Sequence, residues 1–292
     1  MNPVQWNCPL RDYTSFAIGG PAEALATVEE WGELQDLLAF FRENGLQWRV
    51  IGRGTNLLVS DSGFAGVIVV LGNGFKDIGC EDDGASVLVR AGGGCGLTRL
   101  SGWCIKSGFS GLEFACGIPG TVGGAVVMNA GAWGDELADV LTSVTMMRAA
   151  GPQEIQRRDL HFSYRCWQDH VGGLTGEVVT GVAVRLFRDD PGALRRRCSE
   201  HLAGRRARQP KGQPNAGSFF KNPPGDSAGR LIEKSGCKGM RVGGAMVSPV
   251  HANFLVNTGG ATAADVKELM ERVRRMVVKD SGILLDPEVH FL

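Results

Sequence analysis

Residues Gly117 to Gly134 read GIPGTVGGAVVMNAGAWG, the most specific stretch in the chain. Nearly every side chain in it is small or apolar, and glycines stand at 117, 120, 123, 124, 131 and 134. Glycines at that density do not suit a regular element, because each costs backbone entropy in a helix or strand interior. The spacing predicts a loop and a short helix packed against something large. Two readings stay open. Glycines let two elements pack tightly, or they let backbone lie against a pyrophosphate and a flat ring.

Upstream, Gly92 to Gly96 (GGGCG) precedes a helix predicted over Leu97 to Ser107. Further upstream, Gly52-Arg53-Gly54-Thr55-Asn56-Leu57-Leu58 follows an apolar run at Trp48 to Ile51 that reads as a buried strand. This loop superficially resembles a dinucleotide fingerprint. The third glycine is missing, the following LLVSD is no clean helix, and no acidic residue ends a second strand at the expected spacing. No Gly-x-x-x-x-Gly-Lys-Ser/Thr occurs, which excludes a P-loop. The loop still offers closely spaced N–H groups and a hydroxyl suited to a phosphate; the alternative is an ordinary turn.

Downstream, Gly217 to Pro223 (GSFFKNP) sets a serine, a cation and an amide around two phenylalanines. No Gly-x-Ser-x-Gly elbow is present, so Ser218 reads as a hydroxyl proton donor rather than an acyl-transfer nucleophile. The alternative is a turn with buried phenylalanines. Arg165 in FSYR and Glu288 in DPEV each read, in isolation, as surface residues.

The remainder alternates helices and strands. A helix is predicted over Glu29 to Asn44, with apolar residues at Trp31, Leu34, Leu37, Leu38 and Phe41, and another over Ala263 to Lys279, capped near Thr262 or Ala261. Strands are predicted at Val67 to Leu71, Val87 to Ala91, Leu141 to Arg148, Glu177 to Phe187 and Ile283 to Leu292. Asp189 to Pro214, with its arginines and prolines, is the best domain boundary and reads as a solvated helix plus a linker.

Composition narrows the class. The chain has 292 residues, with 31 Lys+Arg balancing 31 Asp+Glu, 43% hydrophobic and 21% charged. That is an ordinary globular balance, and zero net charge removes the simplest argument for nucleic acid or an anionic membrane as partner. Apolar runs such as Val67 to Leu71 fall far short of the roughly 20 residues of a membrane helix. Met1 to Arg11 lacks a basic n-region and an apolar h-region, so export by a signal peptide is not expected. The 43 glycines are about twice the usual share of ~7%. The eight cysteines (8, 80, 95, 104, 116, 166, 198, 237) form no C-x-x-C pair and are expected as buried, reduced thiols. The histidines at 161, 170, 201, 251 and 290 have no ligand spacing, and no metal site is expected.

Taken in order, seven segments resemble the MurB family of UDP-N-acetylenolpyruvoylglucosamine reductases. They are TSFAIGGPAE, IGRGTNLLVSD, EFACGIPGTVGGAVVMNAGAWG, FSYR, GSFFKNP, AGRLIEKSGCKGMRVGGAMVSPVHANFLVN and DPEVHFL, and they run from about Thr14 to Leu292. The resemblance implies an α+β chain with a FAD-binding fold of the vanillyl-alcohol-oxidase (PCMH) type. Residues 1–72, with 283–292 returning to them, would form one FAD-binding subdomain and residues 73–190 the second. Residues 205–282 would form a C-terminal α+β substrate domain. The length suits the shorter, type II members.

The activity implied is FAD-dependent, NADPH-consuming reduction of the enolpyruvyl ether of UDP-N-acetylglucosamine to UDP-N-acetylmuramate, in peptidoglycan precursor synthesis. By resemblance Ser218 is the proton donor and Arg165 steadies the enolate. Glu288 is the third member, protonated or hydrogen-bonded through an intermediary, since a bare carboxylate would repel that enolate. Non-covalent FAD would be held by Gly52, Arg53, Gly54, Thr55, Asn56, Leu57, Ile118, Pro119, Gly120, Gly123, Gly124, Asn129 and Gly131. Lys221, Asn222 and Asn253 are the candidates for the UDP-sugar. A cytoplasmic monomer is implied. One departure stands out: the family's Tyr-Arg-x-Ser-x-Phe reads Tyr164-Arg165-Cys166-Trp167 here, so the surroundings of Arg165 are expected to differ. A flavin oxidase of the same fold and a non-catalytic UDP-sugar-binding module are the rival readings; the first would lack GSFFKNP and DPEV.

Overall fold

The computed structural model describes residues 3–148, 150–168 and 176–292; His170, one of the histidines weighed as a metal ligand, lies outside them. The described chain forms helices α1 (Trp31–Glu43), α2 (Leu97–Ser107), α3 (Val122–Val127), α4 (Leu137–Val140), α5 (Pro191–Arg208), α6 (Ala228–Lys234) and α7 (Ala263–Ser281). Two compact units result. One comprises Met1–Trp6, Ala24–Gly52 and Gly66–Gly204, the other Asn7–Glu23, Arg53–Ala65 and Arg205–Leu292.

The first unit is built on an antiparallel sheet in the order Gly151–Gln156, Leu141–Arg148, Glu177–Arg188, Ser86–Gly92, Ile78–Asp83. Val87, Val89 and Ala91 alternate into a core shared with Val182, Val184 and Leu186, the two-residue period of a half-buried strand. Leu97, Leu100 and Cys104 of α2 enter the same core at helical spacing. Gly108, at φ +77°, ends that helix in the left-handed conformation that glycine adopts without a Cβ penalty.

In the same unit, Leu34, Leu38 and Phe41 of α1 pack on Trp48, Val69 and Phe75. There Trp48–Val50 and Phe64–Leu71 pair in parallel. The strand Pro21–Val28 is missing from the sequence reading. Its buried face is Ala22, Ala24, Ala26 and Val28, and alanine carries little β-strand signal.

The short helix expected within 117 to 134 is α3. Its start is fixed by Val122 N–H donating to the Cys95 carbonyl and Gly123 N–H to the Gly93 carbonyl, both at 2.8 Å. A Cβ on Gly123 would meet the Gly93 and Val179 carbonyl oxygens at 3.1 Å. Tight packing therefore accounts for Gly123. Gly124 points the other way: it is exposed, and the Thr121 hydroxyl at 3.3 Å is all that a Cβ there would approach.

The second unit carries an antiparallel sheet in the order Asn215–Ser218, Phe254–Asn257, Ala245–Val247, Arg241–Val242. Val266, Leu269, Val273 and Val277 of α7 join its core. Thr262 and Asp265 cap α7 reciprocally, hydroxyl to the Asp265 N–H and carboxylate to the Thr262 N–H, each at 3.0 Å. The strand expected over Ile283 to Leu292 shrinks to His290–Phe291, which pairs in parallel with Leu57–Leu58. Pro287 has no N–H to give a ladder. The residues around it are held by single bonds instead: Lys221 N–H to the Asp286 carbonyl and Glu288 N–H to the Phe219 carbonyl, both 2.8 Å.

One expectation about cysteine is corrected. Cys116 and Cys198 form a disulfide with Cα atoms 5.8 Å apart. Helix α5 brings Cys198 there by packing Leu194 against Ile105 and Cys116, while Arg197 bonds Glu113 at 2.8 Å and Asp189 at 2.5 Å. An 82-residue separation leaves no local signature of such a pairing. A bridge closing a loop of that size stabilises by about 2–4 kcal/mol. Thiol titration of the denatured, unreduced protein should count six cysteines and, after reduction, eight; eight before reduction would remove the bridge.

Candidate active site

In the second unit Ser218 ends the strand Asn215–Ser218. The register slips between Asn215 and Ser218, and Gly217 sits at φ +79°. Such a bulge turns a side chain out of the alternation its strand would impose. The Asn215 side chain holds the bulge by accepting from Gly217 N–H at 3.0 Å. The segment beyond is clamped on both sides. Phe219 N–H donates to the Asn253 carbonyl at 2.8 Å, and the Phe219 carbonyl accepts from Glu288 N–H. The backbone of Glu288 thus lies against the residue next to Ser218. The Asn56 side chain donates to the Glu288 carbonyl at 2.9 Å, tying the Gly54 to Leu57 stretch to the same place.

The candidates for substrate binding differ in what their side chains offer. Asn253 is buried, and its amide brackets the main chain of one residue: Oδ1 accepts from Phe220 N–H at 2.9 Å and Nδ2 donates to the Phe220 carbonyl at 2.8 Å. Both polar ends are spent inside the protein, so Asn253 supports the GSFF segment. Asn253 N–H also donates to His251 Nδ1 at 3.2 Å, and burial pushes that imidazole below its ordinary pKa, in keeping with its accepting role. Asn222 Oδ1 accepts from Ala228 N–H, the first residue of α6, at 3.0 Å. Lys221 is half-buried; its ammonium has no ion pair among the described residues, and its charge adds to burial in pushing the His290 imidazole below its ordinary pKa.

In the first unit the stretch from 117 to 134 meets the start of the Gly52 loop. A Cβ at Gly52 would collide with the Thr121 hydroxyl, so the glycine leaves room for the Thr121 side chain. Thr121 caps α3 by accepting from Gly124 N–H at 3.3 Å. It is missing from the sequence reading, although a threonine directly before Val-Gly-Gly carries an N-cap signal. Ile118 N–H is already bonded to the Ala115 carbonyl at 3.0 Å. Gly52 and Arg53 are exposed, and their N–H groups donate no hydrogen bond among the described residues. The exposed Gly124 and this Gly52 turn leave backbone uncovered, which fits a flat, anionic cofactor such as FAD.

Arg165 belongs to the same unit. Phe162–Ser163 pairs with Cys166–Trp167, and Tyr164 and Arg165 form the turn between them. Arg165 sits at φ +56°, a conformation costing a non-glycine residue about 1–3 kcal/mol. Its guanidinium donates from Nη2 to the Gly131 carbonyl at 2.6 Å and from Nη1 to the Asn129 carbonyl at 3.4 Å, and it lies over the Tyr164 ring. The altered residues after it have plain places. Trp167 is buried and stacks on Phe162, while Cys166 is a half-buried free thiol. Among the described residues no three His, Cys, Asp or Glu side chains converge as metal ligands.

Residues 22–154 match the model of a FAD binding domain family, and residues 209–292 match that of the UDP-N-acetylenolpyruvoylglucosamine reductase C-terminal domain. UDP-N-acetylenolpyruvoylglucosamine reductase 2 of Symbiobacterium thermophilum is 46% identical over 282 residues, spanning 96% of this chain and 89% of its own. The reductase of Moorella thermoacetica is 46% identical over 290 residues, spanning 98% and 92%. The crystal structure of the UDP-N-acetylenolpyruvylglucosamine reductase MurB from Thermus caldophilus matches with a TM-score of 0.82 at 38% identity, covering 99% of this chain and 98% of that one.

The Asn253 clamp generates a test. Asn253→Ala orphans a buried N–H and a buried carbonyl, each costing about 1–3 kcal/mol. Urea unfolding should register a loss of about 2–6 kcal/mol on the same basis. Unchanged stability together with weakened UDP-sugar binding would return Asn253 to the substrate.

Proposed function

The chain belongs to the UDP-N-acetylenolpyruvoylglucosamine reductase (MurB) family, and on that premise we propose that Ser218, Arg165 and Glu288 carry its chemistry. The enzyme reduces UDP-N-acetylglucosamine enolpyruvate to UDP-N-acetylmuramate with FAD and NADPH, in peptidoglycan precursor synthesis. When bound, FAD supplies the hydride chemistry, with NADPH as reductant.

The reduction adds a hydride to the terminal vinyl carbon and a proton to its neighbour. Between the two additions, negative charge spreads over that neighbour and the carboxylate. Ser218 holds the proton at Oγ. A serine hydroxyl is a poor acid in water, so its contribution depends on being held against the carbanion. The observation that carries this reading is the bulged, clamped GSFF segment, which fixes Ser218 beside the backbone of Glu288. Arg165 places a fixed positive charge where the enolate develops, a preference for the transition state over the bound substrate. Its strained backbone supports that role, since strain of this kind persists where surrounding structure holds it for function. Glu288 completes the set, protonated or bonded through an intermediary so that it does not oppose the enolate.

FAD would be held without a covalent tether by Gly52, Arg53, Gly54, Thr55, Asn56 and Leu57, and by Ile118, Pro119, Gly120, Gly123, Gly124, Asn129 and Gly131. The exposed amides of Gly52 and Arg53 suit its pyrophosphate. Lys221 has an ammonium suited to a diphosphate or carboxylate of the UDP-sugar, with Asn222 and Asn253 shaping the segment around it. On this reading residues 1–72 with 283–292, and residues 73–190, serve the cofactor, and residues 205–282 serve the nucleotide sugar. We further infer a cytoplasmic monomer that takes small molecules as partners, not nucleic acid or membrane. Among the described residues no helix is long and apolar enough to cross a membrane.

Ser218→Ala separates the two half-reactions. Bleaching of the flavin absorbance by NADPH needs no proton from Ser218 and should proceed at a near-normal rate. Its recovery on adding the enolpyruvyl substrate should slow by ~10²–10⁴-fold, the usual worth of general acid catalysis. Stopped-flow absorbance follows each phase. Normal recovery would remove Ser218 from the mechanism, and equal slowing of both phases would point to a damaged fold.

A further inference from the structure

We propose that Asn129 is a positioning residue for Arg165, an inference that rests on the reading of Arg165 as the group that steadies the enolate. Asn129 is completely buried and adopts φ +40°, a conformation that asparagine tolerates better than other non-glycine residues. Its own N–H closes the end of α3 by donating to the Val126 carbonyl at 2.9 Å. From there its side chain joins two further segments. Oδ1 accepts from Ala138 N–H at 3.1 Å, and Nδ2 donates to the Ser163 carbonyl at 3.1 Å.

Ser163 lies two residues before Arg165, in the hairpin whose turn Arg165 occupies. The Arg165 guanidinium returns the connection, donating to the carbonyls of Asn129 and Gly131. The two segments are therefore latched in both directions. The Asn129 amide fixes the hairpin backbone, and the 129–131 carbonyls fix the plane of the guanidinium. The left-handed backbones of Asn129 and Arg165 both lie within this latch. A fixed cation stabilises developing charge only if it need not reorganise during the reaction. The latch supplies that rigidity.

The side-chain chemistry selects asparagine. Aspartate keeps the acceptor for Ala138 N–H and tolerates the backbone, but sets a carboxylate oxygen against the Ser163 carbonyl. Glycine tolerates the backbone and loses both side-chain bonds. Any contact of Asn129 with the cofactor would run through its main chain, which neither change removes, because its side chain is enclosed by protein and bonded there.

A double-mutant cycle tests this. Asn129→Asp and Asn129→Gly are each made in the native chain and in Arg165→Ala. kcat and KM for the enolpyruvyl substrate are read separately, alongside FAD affinity by fluorescence titration and stability in urea. Both single variants should lower kcat by ~10–100-fold, the scale set by small misplacements of a reacting group, while FAD affinity stays within ~3-fold. In Arg165→Ala the same changes should cost less than ~2-fold, since the group being positioned is gone. Losses of equal size in both backgrounds, or FAD affinity falling in step with kcat, would overturn the proposal. Should Asn129→Gly fail to fold, Asn129→Asp carries the cycle alone. Full activity in Arg165→Ala overturns both the proposal and the reading beneath it. Additive losses on an Arg165→Ala that is itself slowed but still measurable overturn the proposal alone.

Discussion

The hydrogen bond from Gly123 N–H to the Gly93 carbonyl, at 2.8 Å, is the contact on which the first unit's functional geometry depends. It joins backbone to backbone just past the end of an inner strand of the sheet, and no side chain fits there: a Cβ on Gly93 would run into the Val179 carbonyl. The contact places the start of α3. Thr121, just before it, caps the helix and meets Gly52. Asn129, just after it, turns the chain toward Ala138 and receives the Arg165 guanidinium. One close approach of two glycines thus sets both the loop proposed for the cofactor and the carbonyls that hold the Arg165 guanidinium.

In the second unit the corresponding constraint is the bracketing of the Phe219–Phe220 backbone by Asn253 and Glu288. A hydroxyl acts as a useful acid only when held at the carbon that takes its proton. Main-chain bonds on both sides of Phe219 and a bulge before Ser218 hold the segment that carries the proposed donor. The bonds that hold this segment are made by amides and carbonyls, which keep position without changing charge.

Much of this was legible in the sequence, for reasons that differ by element. Helix α2 was read with its observed bounds because an apolar period, a preceding glycine cluster and a following glycine agree. Helix α7 was read through its cap for the same reason. Pro21–Val28 was missed because alanines carry its buried face, and the terminal strand was overdrawn because an apolar run does not reveal where Pro287 interrupts a ladder. The Cys116–Cys198 bridge and the Arg165 latch join residues 82 and 36 positions apart, and local patterns do not encode such pairings. The family was legible as seven ordered motifs, and the residues proposed for the site stand within them. What each does was less so: Asn253 is a substrate candidate by resemblance alone, whereas burial commits its amide to Phe220, a pairing 33 positions apart that local patterns do not encode.

The central claim is that this chain couples NADPH oxidation to reduction of one particular nucleotide-sugar ether. The direct measurement is NADPH consumption by the purified, FAD-loaded protein with and without UDP-N-acetylglucosamine enolpyruvate. The account predicts fast oxidation only with the sugar present, one NADPH consumed per UDP-N-acetylmuramate formed. Oxidation at the same rate without it, or none with it, would contradict the account.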